Sequence, residues 1–255
     1  MTVPRILRQS GPQLSGKIAL VTGATGGIGA ACARAIVAQG GSVAVTGTRQ
    51  AVLDELCASI GPKAKGFVCD LGDRAAVDAL GPAVEAHFGR IDILVNNAGI
   101  TRDATLRKMD KAGWDAVLRT NLDSMFNVTK PFIDPMVERG WGRIVNVSSI
   151  NGSKGQFGQT NYSAAKAGVH GFTKALAQEV ASKGVTVNTV SPGYIGTEMV
   201  RAIKPEILEK IVATIPVKRL GTPEEIGSVV AWLAGEDSGF TTGADFSCNG
   251  GLHMG

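Results

Sequence analysis

The chain has 255 residues, of which 44% are hydrophobic and 34 are glycine, and its formal net charge is +4. This composition is typical of a globular α/β protein with one large core or two smaller domains. Lys and Arg are scattered, which gives little support to nucleic-acid binding. The sequence has no apolar run of membrane length and no signal-peptide pattern, so we expect a cytoplasmic protein that does not bind membranes.

The cysteines share no metal-ligand spacing and form no disulfide framework. We therefore expect no metal site and interpret them as small core residues of a protein kept reduced. They are Cys32, Cys57, Cys69 and Cys248.

Residues 1–14 carry two prolines and several polar residues, and we expect a flexible tail before a single domain spanning 15–255. The domain begins with short apolar segments that alternate with helical ones. The predicted strands are 18–21, 42–45, 66–69, 91–95, 143–147, 186–190 and 244–247. The predicted helices include 30–39, 52–60, 75–88 and 161–183. Uniformly apolar strands that alternate with helices predict a doubly wound (Rossmann-type) parallel sheet with helices on both faces.

A glycine-rich turn, TGATGGIG (22–29), follows the first predicted strand. Gly23, Gly27 and Gly29 allow the backbone to approach a pyrophosphate at a helix N-terminus, where free N–H groups and the helix dipole attract anions. Alone this is a weak signal, because any tight strand–helix turn can use glycine. In the first βα unit of a doubly wound sheet it favours dinucleotide binding.

The second predicted strand ends at Thr48 and Arg49, where a unit that prefers NAD usually has an acid for the ribose 2′-hydroxyl. No acid is present. Arg49 is a candidate partner for a 2′-phosphate, and a solvated loop arginine is an equal alternative. Asp70 follows the third strand, where it is a candidate contact of adenine or the cap of the next turn.

Two further segments follow strands at the same predicted sheet edge. Asn96-Asn97-Ala98-Gly99 suits a ligand crevice, although ordinary turn chemistry also uses these residues. The turn SPGYIGT (191–197) leads into 199–215, a candidate lid. Asn121 lies in a helical stretch despite poor helix propensity, so it is either functional or simply exposed.

The segment 146–168 is the candidate catalytic stretch. It opens as an apolar strand, crosses a glycine-rich loop and enters a helix just after Asn161. Tyr162 and Lys166 are four residues apart and therefore share a helix face. A lysine cation beside a phenol lowers the tyrosine pKa, and a general acid or base works best with a pKa near the operating pH. Such a pair alone is ordinary, but Ser149 after the preceding strand adds a third group and favours an active site.

Together, TGATGGIG, NNAG, Asn121, Ser149, Tyr162, Lys166 and PGYIGT resemble the short-chain dehydrogenase/reductase family over about residues 15–255. The resemblance implies a seven-stranded parallel sheet, a nicotinamide cofactor and a homotetramer. It implies that Tyr162 donates the proton and that Ser149 bonds the substrate carbonyl. Lys166 would hold the nicotinamide ribose, and Asn121 would support a proton relay through water. The implied cofactor-binding residues are Gly23, Thr25, Gly26, Gly27, Ile28, Gly29, Thr48, Arg49, Asp70, Leu71, Asn97, Ala98, Gly99, Tyr162, Lys166, Pro192, Gly193, Ile195 and Thr197.

Within the family, the second half is similar to acetoacetyl-CoA reductases of polyhydroxybutyrate synthesis. That similarity implies acetoacetyl-CoA as the substrate and an (R)-3-hydroxy product. The implied substrate-binding residues are Ser149, Gln156, Phe157, Gln159, Tyr162 and Tyr194, with Asp103 and Lys108 nearer the mouth. Gln159 has an equal alternative as a residue that folds its loop back on itself.

The first half is more similar to 3-oxoacyl-(acyl-carrier-protein) reductases, through ordinary divergence or a junction of two related parents. That activity is therefore the alternative function. We expect NADP(H) as the cofactor with NAD(H) also used, because only Arg49 is placed to attract a 2′-phosphate. Many relatives that use NADPH have a basic residue where this chain has Gly26. A catalytically silent dinucleotide sensor predicts loss of the tyrosine or lysine, and both are present.

Overall fold

A computed structural model of the protein describes residues 13–254. Its seven strands are β1 (Ile18–Val21), β2 (Ser42–Gly47), β3 (Ala64–Val68), β4 (Ile93–Asn96), β5 (Gly142–Val147), β6 (Val185–Pro192) and β7 (Asp245–Cys248). They form one parallel sheet in the order β3-β2-β1-β4-β5-β6-β7. The predicted doubly wound fold is confirmed, and each predicted strand lies within two residues of its observed bounds.

The helices are α1 (Gly27–Ala38), α2 (Gln50–Ile60), α3 (Arg74–Phe88), α4 (Lys111–Leu118), α5 (Ser124–Glu138), α6 (Ile150–Lys154), α7 (Thr160–Val180), α8 (Glu198–Arg201), α9 (Pro205–Thr214) and α10 (Pro223–Leu233). A π-helical turn, Arg119–Asp123, joins α4 to α5, and a 3₁₀ turn, Ala181–Lys183, follows α7. The helices predicted at 30–39, 52–60, 75–88 and 161–183 are all present. No helix within the described range is long and apolar enough to cross a bilayer.

One correction concerns the segment after Ser149, which the sequence predicts to be a glycine-rich loop. It begins instead with helix α6, because the Ser149 hydroxyl caps it by accepting a hydrogen bond from the Asn151 N–H at 3.2 Å. A second difference lies at the predicted tail. Residues 1–12 are outside the described part of the chain, whereas Leu14 is fully buried and its N–H donates to the Gln39 carbonyl. The packed domain therefore includes Leu14.

The sheet separates two apolar cores. On one face, α1, α2 and α10 pack through side chains such as Ile36, Leu53 and Val230. On the other face, α3, α5 and α7 pack through side chains such as Leu80, Phe132 and Val180. Strands β5 and β6 are buried along their whole length, as expected for central strands covered on both faces.

The chain changes direction across the sheet between β1 and β4. The first three strands run outward on one side of β1, and β4 returns to its other side. In open α/β sheets, this reversal leaves a crevice at the carboxyl ends of the strands, where ligands bind. The predicted motifs all follow strands at that edge.

Candidate active site

A cleft of about 780 Å³ runs along the carboxyl ends of β1 to β4. It is lined by fourteen of the predicted cofactor residues: Gly23, Thr25, Gly26, Gly27, Ile28, Gly29, Thr48, Arg49, Asp70, Leu71, Asn97, Ala98, Gly99 and Thr197. The other five, Tyr162, Lys166, Pro192, Gly193 and Ile195, line an adjoining pocket of about 190 Å³. The two spaces share several wall residues, among them Gly99 and Thr197, so they form one continuous groove.

The start of α1 suits a phosphate-bearing cofactor. Gly26 occupies the N-cap position and no side chain caps the helix, whereas Asp73 caps α3. The first-turn N–H groups of α1 are therefore left for a ligand in the cleft. The glycines are sterically required, since a Cβ on Gly29 would lie 2.5 Å from the Gly23 carbonyl oxygen.

Arg49 and Asp70 line the cleft at the carboxyl ends of β2 and β3. The Arg49 guanidinium is exposed and donates to the Thr25 carbonyl at 2.7 Å, so it bridges the glycine-rich turn. The Asp70 carboxylate accepts from the Gly72 N–H at 2.8 Å and also lines the cleft. Asp70 thus caps its own turn while facing the cofactor space.

Three of the four predicted catalytic residues, Ser149, Tyr162 and Lys166, line the smaller pocket, and Asn121 lies behind its wall residue Gly99. Lys166 is buried, its Nζ donates to the Val147 carbonyl at 2.8 Å, and it lies 5.7 Å from the ring centre of Tyr162. Ser149 lines the same wall. A Cβ on Gly99 would lie 3.3 Å from Asn121 Oδ1 and 3.5 Å from Lys166 Nζ. A side chain at position 99 would therefore crowd both polar groups.

Asn121 is fully buried in the π-helical turn, so the alternative of an exposed helix residue is wrong. Its amide exchanges two hydrogen bonds with the backbone of Ile100, donating at 2.9 Å and accepting at 2.8 Å. These bonds satisfy a side chain that would otherwise disfavour the helix. The π-turn thus connects the α4–α5 segment to the strand-end loop that carries Gly99.

The pKa values at the site differ from the sequence-based expectation. Burial raises the pKa of Tyr162, the Ser149 hydroxyl opposes this by bonding the phenolate, and the Asp103 charge raises it further. The net shift is upward, so the predicted lowering of the tyrosine pKa is wrong for this structure. Burial also lowers the pKa of Lys166 to about 8. Tyr162 is therefore protonated at neutral pH, as a proton donor must be.

A buried network of polar side chains lies between the central strands and the helices α5 and α7. The Asn96 amide donates to Thr129 at 3.1 Å and to Asn146 at 2.9 Å, and Asn146 donates to Thr173 at 2.9 Å. The hydroxyl of Thr189 on β6 donates to Thr173 at 2.8 Å. These bonds join α5 and α7 to the central strands with satisfied polar groups, which favours one fixed arrangement of the two helices.

Most of the predicted substrate residues lie outside the catalytic pocket. Gln159 is held by two hydrogen bonds, donating to Asp103 at 2.9 Å and accepting from Asn151 at 3.0 Å. The Phe157 ring is 88% exposed, so it is not a core residue. Gln156 accepts from Lys154 at 2.9 Å. The Lys108 side chain is exposed.

Tyr194 is placed elsewhere. It lines a separate cavity of about 290 Å³ between the end of β7 and α10, together with Val217, Val229 and Asn249. Of the predicted substrate residues, only Ser149 and Tyr162 line the catalytic pocket itself.

The sequence interpretation missed five residues of that pocket: Ile100, Thr101, Val147, Ser148 and Val200. Ile100 and Ser148 directly adjoin predicted residues, so their positions after β4 and β5 were a usable signal. Val200 belongs to α8, within the candidate lid. The next helix of that segment, α9, has no buried residue.

The fold and the site define a nicotinamide-dependent oxidoreductase. Residues 23–253 match a family described as Enoyl-(Acyl carrier protein) reductase. The chain belongs to the short-chain dehydrogenase/reductase family.

Its curated relatives are similar over almost their entire length. An acetoacetyl-CoA reductase of Cupriavidus necator is 59% identical over 249 residues, which cover 94% of this chain and 99% of the relative. Nodulation protein G of Azospirillum brasilense is 54% identical, with the same two coverages. A 3-oxoacyl-(acyl-carrier-protein) reductase of Haemophilus influenzae is 44% identical over 94% of this chain and 100% of the relative.

Proposed function

We propose that the protein is an acetoacetyl-CoA reductase that forms (R)-3-hydroxybutyryl-CoA for polyhydroxybutyrate synthesis. The observation that carries the proposal is the convergence of Ser149, Tyr162 and Lys166 on a pocket that is continuous with the long cleft and backed by Asn121 behind Gly99. The relatives named acetoacetyl-CoA reductase, in Cupriavidus necator and Allochromatium vinosum, support the choice of substrate.

The proposed chemistry is reduction of the 3-oxo group. A bound reduced nicotinamide supplies the hydride. The Ser149 hydroxyl donates a hydrogen bond to the substrate oxygen and orients the carbonyl. As negative charge develops on that oxygen, the Tyr162 hydroxyl gives it a proton, and the raised pKa of Tyr162 keeps that proton available at neutral pH.

Lys166 and Asn121 have supporting roles in the proposal. Lys166 holds the nicotinamide ribose from its buried position beside Gly99, and its charge stabilises the Tyr162 phenolate that forms once the proton has moved to the substrate. Asn121 keeps the Ile100 backbone in place through two hydrogen bonds, and its proposed role is to support a proton relay through water beside that backbone. Both roles require groups that remain fixed during turnover, and both side chains are buried.

NADP(H) is the proposed preferred cofactor, with NAD(H) also used. Arg49 lies on the cleft wall beside Thr48, where a guanidinium forms charge-assisted bonds with a 2′-phosphate. One exposed cation gives limited discrimination, because its charge is screened by solvent. In this proposal the glycine-rich turn binds the pyrophosphate and Asp70 contacts the adenine.

The acyl-CoA is proposed to approach over the loop that carries Gln156, Phe157 and Gln159. The exposed Phe157 ring offers an apolar surface to the acyl–pantetheine chain. Asp103 fixes Gln159, and Lys108 provides a positive charge nearer the mouth. Tyr194 belongs to this proposed set only through the resemblance, since it faces the neighbouring cavity.

The second candidate is a 3-oxoacyl-(acyl-carrier-protein) reductase. It is favoured by the 44% identical relatives of that name and by three exposed cations in the segment between β4 and α4, Arg102, Arg107 and Lys108, of which Arg102 lines the cleft. An acidic carrier protein requires such a basic docking face.

The test is consumption of reduced nicotinamide with acetoacetyl-CoA and with acetoacetyl-(acyl-carrier-protein), each supplied with NADPH or NADH. We expect the highest kcat/KM with acetoacetyl-CoA and NADPH. Higher kcat/KM with the carrier-protein thioester would favour the second candidate. No consumption with either thioester would refute both, and Tyr162→Phe is the control for background oxidation.

We further propose a cytoplasmic homotetramer, as the family resemblance implies. The rings of Phe126 on α5 and Phe240 before β7 are 55% and fully exposed, and they offer apolar surface for subunit contacts. Light scattering after size-exclusion chromatography would measure the assembly mass.

A further inference from the structure

A polar cluster that the proposed chemistry does not use lies directly behind Lys166. Tyr162, Lys166 and His170 follow one another at four-residue spacing on α7, so all three share one side of the helix. His170 Nε2 lies 2.9 Å from the Ser148 hydroxyl oxygen, and the same hydroxyl lies 2.8 Å from the Lys166 carbonyl oxygen. Ser148 is only 4% exposed and forms part of the catalytic pocket wall.

An acidic partner completes the cluster. His170 Nδ1 lies 3.6 Å from a carboxylate oxygen of Asp245 on β7, and the other Asp245 oxygen accepts from the Ser191 hydroxyl at 2.7 Å. The charged groups that act on His170 are Asp245 from β7 and Lys166 and Lys174 from its own helix. The cluster therefore extends from the catalytic pocket to the partly exposed carboxylate of Asp245.

The arrangement resembles a Ser–His–Asp triad, but its hydrogen atoms are used differently. Ser148 has one hydroxyl hydrogen, and the Lys166 carbonyl is only an acceptor. The bond to Lys166 therefore exists only if Ser148 donates that hydrogen. With its hydrogen used, the Ser148 oxygen can only accept a hydrogen bond from the histidine. Nε2 of His170 must therefore carry a hydrogen. A hydroxyl that is nearly buried and already donating is poorly placed to act as a nucleophile.

The carboxyl end of β5 contacts Lys166 through both its side chain and its backbone carbonyl. Its Nζ donates to the Val147 carbonyl, while its own carbonyl accepts from Ser148, the next residue along the chain. A Cβ on Gly152 would lie 2.8 Å from the Lys166 carbonyl carbon, so α6 packs closely against the same turn. The position of the catalytic lysine thus depends on how firmly this turn of α7 is held to β5.

We propose that His170 is a positioning residue: its Nε2–H holds the Ser148 hydroxyl on the Lys166 carbonyl and so fixes Lys166 and Tyr162 in the catalytic pocket. In this tautomer Nδ1 carries no hydrogen, so Asp245, 3.6 Å away, makes no hydrogen bond to the imidazole and acts on it only through its charge. In the competing tautomer the hydrogen is on Nδ1 and faces Asp245. Nε2 would then accept a hydrogen bond from the Ser148 hydroxyl, and the Lys166 carbonyl would lose that donor. The proposed role of His170 in turnover rests on the proposed reductase function. The assignment of its tautomer is independent of that function.

The first test is therefore made on the wild-type protein without substrate. The chain has three histidines, His87, His170 and His253, so ¹⁵N-histidine NMR can be assigned with single substitutions at the other two. We expect Nε2 of His170 to carry a hydrogen at pH 8. An unprotonated Nε2 would overturn the proposal whatever the protein reduces.

The second test compares turnover in four variants. His170→Leu removes the donor, His170→Gln retains an N–H donor of similar reach, and Ser148→Ala removes the linking hydroxyl. Val169→Ala is the control, because Val169 is buried on the same helix and has no polar side chain.

For acetoacetyl-CoA we expect kcat to fall roughly 3- to 10-fold in His170→Leu and in Ser148→Ala, the effect of one lost hydrogen bond. KM for acetoacetyl-CoA should change less than about twofold, because the residues proposed to contact the acyl chain lie outside this cluster. His170→Gln should recover most of the loss. Val169→Ala should lower the melting temperature without lowering kcat.

A double variant separates this role from general destabilisation. If His170 acts through Ser148, then Ser148→Ala combined with His170→Leu should have nearly the kcat of either single variant. Losses that multiply, or a wild-type kcat in His170→Leu, would overturn the proposal. Failure of the wild-type protein to reduce acetoacetyl-CoA would refute the proposed function instead, and the tautomer measurement would still decide the role of His170.

Discussion

Replacing Lys166 with methionine should change how stability depends on pH, because burial of the lysine ammonium opposes folding. Its pKa is lowered from 10.5 to about 8. At about 1.4 kcal/mol for each pKa unit, the ionised side chain costs about 3 kcal/mol at pH 7 relative to a lysine that stays solvated. Methionine has a similar length and no charge, so it avoids this cost.

The sign follows from proton binding. Above about pH 8 the folded protein releases the Lys166 proton. The unfolded chain retains it up to about pH 10.5, so wild-type stability from this group rises as the pH increases. The cost is full below pH 8, falls by about 2 kcal/mol between pH 7 and 9.5, and is lost near pH 10.5. The lost bond to the Val147 carbonyl adds a nearly constant term, since the neutral amine also donates it.

The assay is urea unfolding of the cofactor-free protein from pH 7 to 9.5, at one protein concentration. The quantity of interest is the free energy of unfolding of Lys166→Met minus that of wild type, which cancels other groups that titrate in this range. Lys183→Met is the matched control, because Lys183 is exposed just after α7 and should give a flat difference. A flat difference for Lys166→Met would refute the lowered pKa.

Three further predictions concern the proposed chemistry. Tyr162→Phe should remove nearly all turnover while cofactor affinity changes little; more than about a tenth of wild-type activity would contradict a general-acid role worth ~10²–10⁴-fold. Arg49→Ala should weaken NADPH binding roughly 10–100-fold and leave NADH nearly unchanged, as measured by fluorescence titration. Equal losses would exclude recognition of the 2′-phosphate. Phe157→Ala should raise KM for acetoacetyl-CoA with little change in melting temperature, because the ring is 88% exposed; an unchanged KM would place the acyl path elsewhere.

The sheet was predictable from the sequence because its central strands are apolar throughout and are separated by helical segments. The groups at the strand ends were predictable for a related reason, since the carboxyl ends of parallel strands share one edge. Gly23, Gly99 and Ser149 each follow a strand directly, and the structure brings all three to the groove.

The predictions failed at positions where tertiary packing, rather than local sequence, determines the structure or the pKa. The direction of the Tyr162 pKa depends on how much the phenol is desolvated, which sequence spacing does not reveal. The helix after Ser149 is only five residues long, and its cap outweighs the glycine within it. Asn121 has poor helix propensity, but its buried bonds to Ile100 compensate for it.

The π-helical turn at Arg119–Asp123 also restricts how this chain can change in length. The segments α4 and α5 run on either side of it without a break, as one helix with an extra residue in a single turn. Each residue rotates an α-helix by about 100°, so deleting one residue there would restore regular bonding and turn Asn121 away from Ile100. A shorter and more regular helix would therefore lose the two hydrogen bonds that hold the Ile100 backbone at the pocket wall.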